Sequence, residues 1–320
     1  MAKSRTKIVR KILTMLGYDL RRLQKTHIHA STPGWQLPHD KGFDGFETII
    51  PRPVTHFDIV FRSCTRVEIF GQDRKRLLDQ SKSEVMNRCL NSLIRSIDTA
   101  MLQGVDIPIR LVVLDDHSAE PFVAQIKTLL THAPCETEFI ALETTGNGPS
   151  VGEAYKWARK NSKDVIYFVE DDYLHEPNAI FEIIRSYERH AAVLGQDVTL
   201  FPTDMPDRYR HIEETQVFLG SHRHWRTIGN TTFTSITSIK ILNAHWKSFI
   251  GLAQYGIDPE ITEANTLQHI YKQVPCLSPM PSLALHYQQV DGLSPFTDWK
   301  KWWADAKTDP ASSSDKSGSA

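Results

Sequence analysis

Phe168-Val169-Glu170-Asp171-Asp172-Tyr173 is an apolar run broken by three consecutive carboxylates, and Val165-Ile166-Tyr167 leads into it. Carboxylates crowded at the end of a buried strand repel one another and lose hydration, so a cation or a set of donors must neutralise them. A hard divalent cation is the simplest neutraliser. Mg²⁺ or Mn²⁺ takes oxygen ligands, typically one or two carboxylates with phosphates and water completing the shell. The plainer alternative is a solvated acidic turn that caps the next helix. What separates the two is the order of elements around the run.

Upstream, Phe57-Asp58-Ile59-Val60-Phe61-Arg62 is a β-branched and aromatic stretch that ends in the polar loop Ser63-Cys64-Thr65-Arg66. Val85, Cys89, Leu90, Leu93, Ile94 and Ile97 then recur at helical spacing. Ile109-Arg110-Leu111-Val112-Val113-Leu114 is apolar enough to be a strand buried on both faces, and Asp115-Asp116-His117-Ser118 closes it. A second helix runs through Phe122, Ile126 and Leu129. Glu138 to Leu142 reads as a strand, Gly146-Asn147-Gly148 as a turn, Val151 to Lys160 as a helix, and Val165 to Val169 as the strand into the carboxylates. Beyond Pro177 a helix reaches about His190, and Val198 to Phe201 forms another strand. This alternation predicts an α/β fold with a mainly parallel sheet flanked by helices. In such sheets the ligand lies beyond the carboxyl ends of the strands. The polar ends at 63–66, 115–118 and 170–172 therefore converge on one crevice.

A length of 320 residues allows one large α/β unit with extensions. The formal charge of -1 lacks the basic excess of a protein that coats nucleic acid. Cys64, Cys89, Cys135 and Cys276 have neither zinc-site nor disulfide-framework spacing, which reads as reduced thiols in a cytoplasm. No run is long and apolar enough to span a bilayer, and the first residues lack a secretory pattern. Residues 1–25 interleave Lys3, Arg5, Lys7, Arg10, Lys11, Arg21, Arg22 and Lys25 with apolar positions, as a basic amphipathic helix does. Such a helix either packs on the domain or makes peripheral contact with the anionic inner face of a membrane. Residues 26–56, with Pro33, Pro38, Pro51 and Pro53, read as a linker or wrapping arm, and 306–320 as a disordered tail. Between them lie an ordered half at 57–200 and a less regular half at 201–305, rich in His, Arg and Trp, which is assigned to binding a second substrate.

The ordered series of strand ends resembles the GT-A fold glycosyltransferases, especially the family-2-like group. The residues that carry the resemblance are Leu114-Asp115-Asp116-His117-Ser118, Gly146-Asn147-Gly148-Pro149-Ser150 leading into Ala154, and Tyr167-Phe168-Val169-Glu170-Asp171-Asp172 with Pro177 following. It covers roughly residues 57 to 200. The Glu-Asp-Asp form looks like the DxD-type motif of inverting enzymes of this fold. The resemblance implies transfer of a sugar from a nucleoside-diphosphate sugar, UDP-linked by family habit, to a hydroxyl of a glycan or lipid-linked acceptor, with Mn²⁺ or Mg²⁺ as cofactor.

Carried over position by position, the resemblance implies that Asp172 ligates the metal while Glu170 and Asp171 hold ribose, sugar hydroxyls or metal-bound water. Asp116 matches an acidic residue near the base and ribose, with Asp115 beside it either sharing that role or capping its own turn. His117 stands where Gly is usual. Thr65 and Arg66 face base or phosphate, although Arg66 also fits as a plain surface cation. An inverting enzyme needs a carboxylate to take the acceptor proton; Glu263 resembles that position most, with Glu260 and Asp258 as alternatives. Asp258 before Pro259 equally suits an N-cap. His286 ends a late apolar stretch and matches the C-terminal His that several GT-A enzymes bring to the metal, or is simply hydrogen-bonded. Trp299, Trp302 and Trp303 either stack on sugars or pack the terminal segment onto the domain. Two other readings share parts of this pattern. A sugar-phosphate nucleotidyltransferase usually has a Gly-rich basic first loop, which Ser63-Cys64-Thr65-Arg66 is not. A non-catalytic carbohydrate-binding protein of the same fold has no need of the intact carboxylates.

Overall fold

The computed structural model describes residues 52–65, 80–210, 214–255, 257–287, 293–294 and 296–307. The basic segment at 1–25, Arg66, and most of the arm and tail lie outside the described residues.

The first half follows the predicted alternation. Strand β1 (Phe57–Ser63) is followed by α1 (Lys82–Leu102), β2 (Ile109–Asp115), α2 (Glu120–Leu130), β3 (Glu136–Ala141), α3 (Asn147–Asn161) and β4 (Val165–Glu170). β1 pairs in parallel with β2 on one side and β4 on the other, and β2 with β3. Ile59, Val60, Phe61, Leu111, Val112, Val113 and Val165 through Val169 are all fully buried, as strands covered on both faces require. α3 begins four residues before the predicted Val151. Gly146, at φ 108°, is its N-cap, and Pro149 fits the first turn, where no amide donor is needed.

A short β5 (Tyr173–His175) follows the carboxylates, then α4 (Ala179–Leu194), which Gly195 ends in the left-handed conformation. α1 holds this region through two buried serines. Ser92 Oγ accepts from the His175 amide at 3.0 Å, and Ser96 Oγ from that of Ile180 at 2.9 Å. The second half contributes β6 (Thr199–Leu200), a 3₁₀ turn (Pro206–Tyr209), β7 (Val217–Leu219), β8 (His224–Thr227), β9 (Ser235–Ser238), α5 (Ile239–Ala244), α6 (Trp246–Leu252), a 3₁₀ turn (Glu263–Asn265), α7 (Leu267–Tyr271), β10 (Cys276–Met280), β11 (Ala284–His286) and α8 (Trp299–Asp305).

These strands extend the same sheet to nine, in the order β3-β2-β1-β4-β9-β6-β10-β8-β7. β9 is antiparallel to both β4 and β6, so β6 runs parallel to β4, and β10 runs parallel to β6. The ends of β1, β2, β4, β6 and β10 and the entry to β9 therefore share one edge. β11 pairs separately with β5. Residues 52–56 are bound to the domain: Arg52 bridges Asp164 at 2.7 Å and Asp197 at 2.9 Å, and Val54 is buried. At the other end Trp303 stacks on Tyr287 with centroids 4.6 Å apart, Arg88 lies over the Trp303 ring, and Ala306 is buried. Trp303 is thus a packing residue. Among the described residues no helix is long and apolar enough to cross a membrane.

Candidate active site at the carboxyl edge of the sheet

The chain leaves β1 toward β2 and β3 on one side and returns to β4 on the other, so β1 and β4 flank the point where the winding direction reverses. Ligands bind at this point in open α/β sheets. The β1–β4 register places Arg62 opposite Glu170, and the β1–β2 register places Ser63 opposite Asp115.

Glu170 is held from both sides. Its Oε1 accepts from Arg62 Nη2 at 2.9 Å and its Oε2 from Thr234 Oγ1 at 3.3 Å, while its amide donates to Thr234 Oγ1. Arg62 Nη1 continues to Asn147 Oδ1 at 2.7 Å and Ser150 Oγ at 2.9 Å, and the guanidinium lies over the Phe233 ring. One arginine thus fastens the carboxylate strand to the start of α3. Asp171 is buried, with Oδ2 accepting from the Cys64 amide at 2.9 Å and lying 3.5 Å from Lys82 Nζ. Burial pushes its carboxyl up to about 6, helped by the neighbouring Asp172 charge and opposed by Lys82.

Asp172 differs from both. Its Oδ2 lies 3.2 Å from His286 Nε2, whereas its Oδ1 is buried and has no hydrogen-bond partner. Burial alone would raise this carboxyl, but the His286 charge and hydrogen bond outweigh it and hold Asp172 below the usual carboxylate range. Burial likewise works against the His286 cation, and the Asp172 charge overcomes it, raising the imidazole to about 8. β11 and β5 set this pair: His286 is in register with Tyr173 and stacks on it, with centroids 4.8 Å apart and planes 12° from parallel, and the Tyr287 amide donates to the Asp172 carbonyl at 2.7 Å.

The second strand end is more self-contained. Asp115 accepts from Ser63 Oγ at 2.8 Å and from the Ser118 amide at 2.9 Å, which makes it the cap of its own turn. Asp116 accepts from the Gly146 amide at 2.8 Å and lies 2.9 Å from His117 Nδ1, so it joins the turn to the start of α3. His117 has φ 58°, the left-handed conformation that Gly adopts without cost. The exchange for Gly therefore leaves the turn geometry in place and adds an imidazole beside Asp116. Thr65 is tied to the same turn, its amide donating to Ser118 Oγ at 3.1 Å.

The predicted base segment borders this crevice by way of α3. A Cβ on Gly148 would lie 2.3 Å from the Ala253 carbonyl oxygen and 3.0 Å from Ile257 Cδ1, so the chain leaving α6 rests on the helix start that Arg62 holds. Asp258 Oδ1 accepts from the Glu260 amide at 2.9 Å, an Asx turn. Glu260 is exposed, and Glu263 opens the second 3₁₀ turn.

A sequence profile described as Glycosyl transferase family 2 matches residues 82–249, more than half of the chain. The chain belongs to glycosyl transferase family 2. This family-2 member has the GT-A type of mostly parallel, helix-flanked sheet. Among solved structures it is similar to S. aureus TarS, with 14% identity over 70% of this chain and 35% of that one, at a TM-score of 0.41. It is also similar to TarS 1-349 in complex with UDP-GlcNAc, with 15% identity over 62% of this chain and 53% of that one, at 0.39. A third similar structure is glucosyl-3-phosphoglycerate synthase from Mycobacterium tuberculosis in complex with Mn²⁺, UDP and glucosyl-3-phosphoglycerate, with 12% identity over 67% of this chain and 68% of that one, at 0.34. The chain spans between about a third and a little over half of the TarS chains it matches. No curated protein matches the sequence.

Arg62 and Lys82 are site residues that the sequence reading does not single out. Arg62 sits near the end of a mostly apolar strand that also holds Asp58 and Ser63, and Lys82 begins a helix 11 residues before Leu93; neither has a local signal, and only the fold sets them beside Glu170 and Asp171.

Proposed function

We propose that this glycosyltransferase moves a sugar from a nucleoside-diphosphate donor, UDP-linked, to a hydroxyl of a glycan or lipid-linked acceptor, with a divalent cation and with inversion. The observation that carries the reading is Asp172 Oδ1, a buried carboxylate oxygen without a partner at the switch-point crevice. Buried acceptors are normally satisfied, and an orphaned one calls for a ligand. Among the described residues no group of three or more His, Cys, Asp or Glu side chains is arranged as a metal cage. Mg²⁺ or Mn²⁺ needs only one or two protein groups, with substrate phosphates and water completing the shell. Asp172 would hold the ion, with His286 as second ligand once its imidazole has lost its proton and its contact to Oδ2. When bound, the cation supplies positive charge to the departing diphosphate.

The chain's own residues do the rest. Lys82 lies on the Asp171 side of the crevice and offers a second positive charge to the leaving group. Glu170 and Asp171, held by Arg62, Thr234 and the Cys64 amide, present fixed acceptors to ribose or sugar hydroxyls. Asp116 and Thr65 border the same turn and are assigned to the nucleoside, with Arg66 beside them in the sequence. Glu263 is the first choice for accepting the acceptor proton, ahead of Glu260 and of Asp258, which already caps a turn.

The test is nucleotide release from UDP-, GDP- and dTDP-sugars with Mn²⁺, Mg²⁺ or EDTA. UDP-sugars with Mn²⁺ should be turned over, EDTA should abolish release, and Asp172→Ala should lower it by at least a hundredfold. Release that survives EDTA or Asp172→Ala would sink the metal reading. Glu263→Gln should abolish transfer while preserving UDP binding; full activity would pass the base role to Glu260.

A further inference from the structure

β5 follows Asp172 directly and β11 ends in His286; the two strands are three residues each and pair only with one another. A two-stranded ribbon is marginal unless something packs on it. One part of it meets the main core, through Tyr173 and Ala284. Leu174 and Tyr287 instead join Val85, Cys89 and Ala306 in a second, separate apolar cluster, against which the tryptophans of α8 pack. The contact nearest the site is Trp303 on Tyr287. Their rings are 2° from parallel with centroids 4.6 Å apart, and Trp299 meets the Tyr287 ring edge-on at 6.0 Å. The Tyr287 amide belongs to the peptide bond that follows His286, and it donates to the Asp172 carbonyl at 2.7 Å. This residue is therefore held at its backbone by Asp172 and at its side chain by Trp303. Trp303 is in turn fixed by α1: the Arg88 guanidinium lies 4.3 Å from the indole centroid, its Nη1 donates to the Trp303 carbonyl at 2.7 Å, and its Nε is paired with Glu84 at 2.7 Å. Further along α1, Asn91 Nδ2 donates to the Ala306 carbonyl at 3.1 Å.

We infer that Trp303, clamped by Arg88, is a positioning residue: through Tyr287 it holds His286 against Asp172, so that α8, which lies beyond the matched family-2 segment, braces the candidate metal site. The link to a metal rests on the reading above; the positioning of His286 stands on the contacts alone. Groups that bind a metal must be kept within about 0.5 Å of their working geometry by neighbours whose own rotamers are locked. Stacking between two aromatic rings, one of them under a guanidinium, supplies such a lock. The main core contains no residue of α8, so loss of the clamp should loosen the site more than it destabilises the sheet.

The experiment compares the full chain with Trp303→Leu, Trp303→Phe and Arg88→Gln by two readouts. Without metal and at fixed pH, isotope-labelled histidines are followed by NMR, the His286 signal being assigned by its loss in His286→Gln. In the native chain it should carry the ring-current shift of the stacked Tyr173 ring. Trp303→Leu and Arg88→Gln should move it toward the position of a free imidazole, whereas Trp303→Phe, which keeps a stacked ring, should not. In the presence of UDP, Mn²⁺ affinity is read from the EPR signal of the free ion. It should fall roughly tenfold or more in Trp303→Leu, the usual effect of losing a group that orients a ligand, and recover in Trp303→Phe. Because Arg88 acts through Trp303, the double variant should bind Mn²⁺ no more weakly than Trp303→Leu alone. An unmoved His286 signal, or an Mn²⁺ affinity that stays native in Trp303→Leu, overturns the proposal; Arg88→Gln decides if Trp303→Leu does not fold. If the native chain fails to bind Mn²⁺ while the His286 signal still depends on Trp303, the metal reading fails and the positioning of His286 stands.

Discussion

Arg62 joins three segments that are far apart in sequence: β1, the start of α3 and the end of β4. A lysine there would keep the charge but could not serve Glu170, Asn147 and Ser150 together. Hydrogen bonds to charged groups are worth roughly 1.5–3 kcal/mol each, so losing one should weaken donor binding about tenfold or more. Arg62→Lys is expected to raise the donor KM by about that factor while the melting midpoint moves only a few degrees. A lowered midpoint with unchanged KM would reduce Arg62 to a structural clamp. The carboxylate run itself was legible in the sequence, because three charges after an apolar strand demand a partner. The difference between the three was not. Glu170 and Asp171 are satisfied by protein donors and Asp172 keeps an open oxygen, a distinction set by Arg62, Thr234 and Cys64 across strand pairings that local pattern does not encode.

Among the elements, β1, β2 and β4 could be read directly, since strands buried on both faces are near-continuous apolar runs. The start of α3 could not. Gly146-Asn147-Gly148-Pro149 has the composition of a turn, and it becomes a helix start because Asp116 takes the Gly146 amide and Arg62 takes Asn147. Gly148 is required there by closeness rather than by backbone angle. Gly148→Ala would drive a Cβ into the Ala253 carbonyl at 2.3 Å, so one of the two segments must move. Overpacking of this kind costs about 1–3 kcal/mol, which should appear as a lower urea midpoint with an unchanged slope. A stability equal to that of the native chain would mean that the α6 exit is not anchored on α3. The short strands β7 to β9, three or four residues each, carry too little periodicity to be read, and they exist because antiparallel partners complete them.

For the molecule as a whole, stability should depend on acid in two windows. His175 and His190 are buried, and burial lowers both imidazoles to about 3 from an unfolded value near 6.5. Below about pH 6.5 the unfolded chain takes up protons that the folded chain refuses, so stability falls steadily toward pH 3. Asp164 acts lower down. Burial would raise its carboxyl, but Arg52 and Thr55 outweigh that and depress it, so its contribution is present above about pH 4 and is lost as the pH falls through its folded value. Urea midpoints should therefore drop between pH 7 and 5, and His190→Gln should flatten that drop. A midpoint independent of pH across this range would show that the imidazoles are protonated in place.

The strand order carries one more consequence. β9 lies between β4 and β6, and β10 lies on the far side of β6, so both hydrogen-bonding neighbours of β6 come from beyond residue 200. The two halves are interleaved like the fingers of clasped hands. Recombination that exchanged the later half for another would replace strands of the donor sheet as well, and new acceptor preferences are more easily gained by changing the loops between strands than by trading modules.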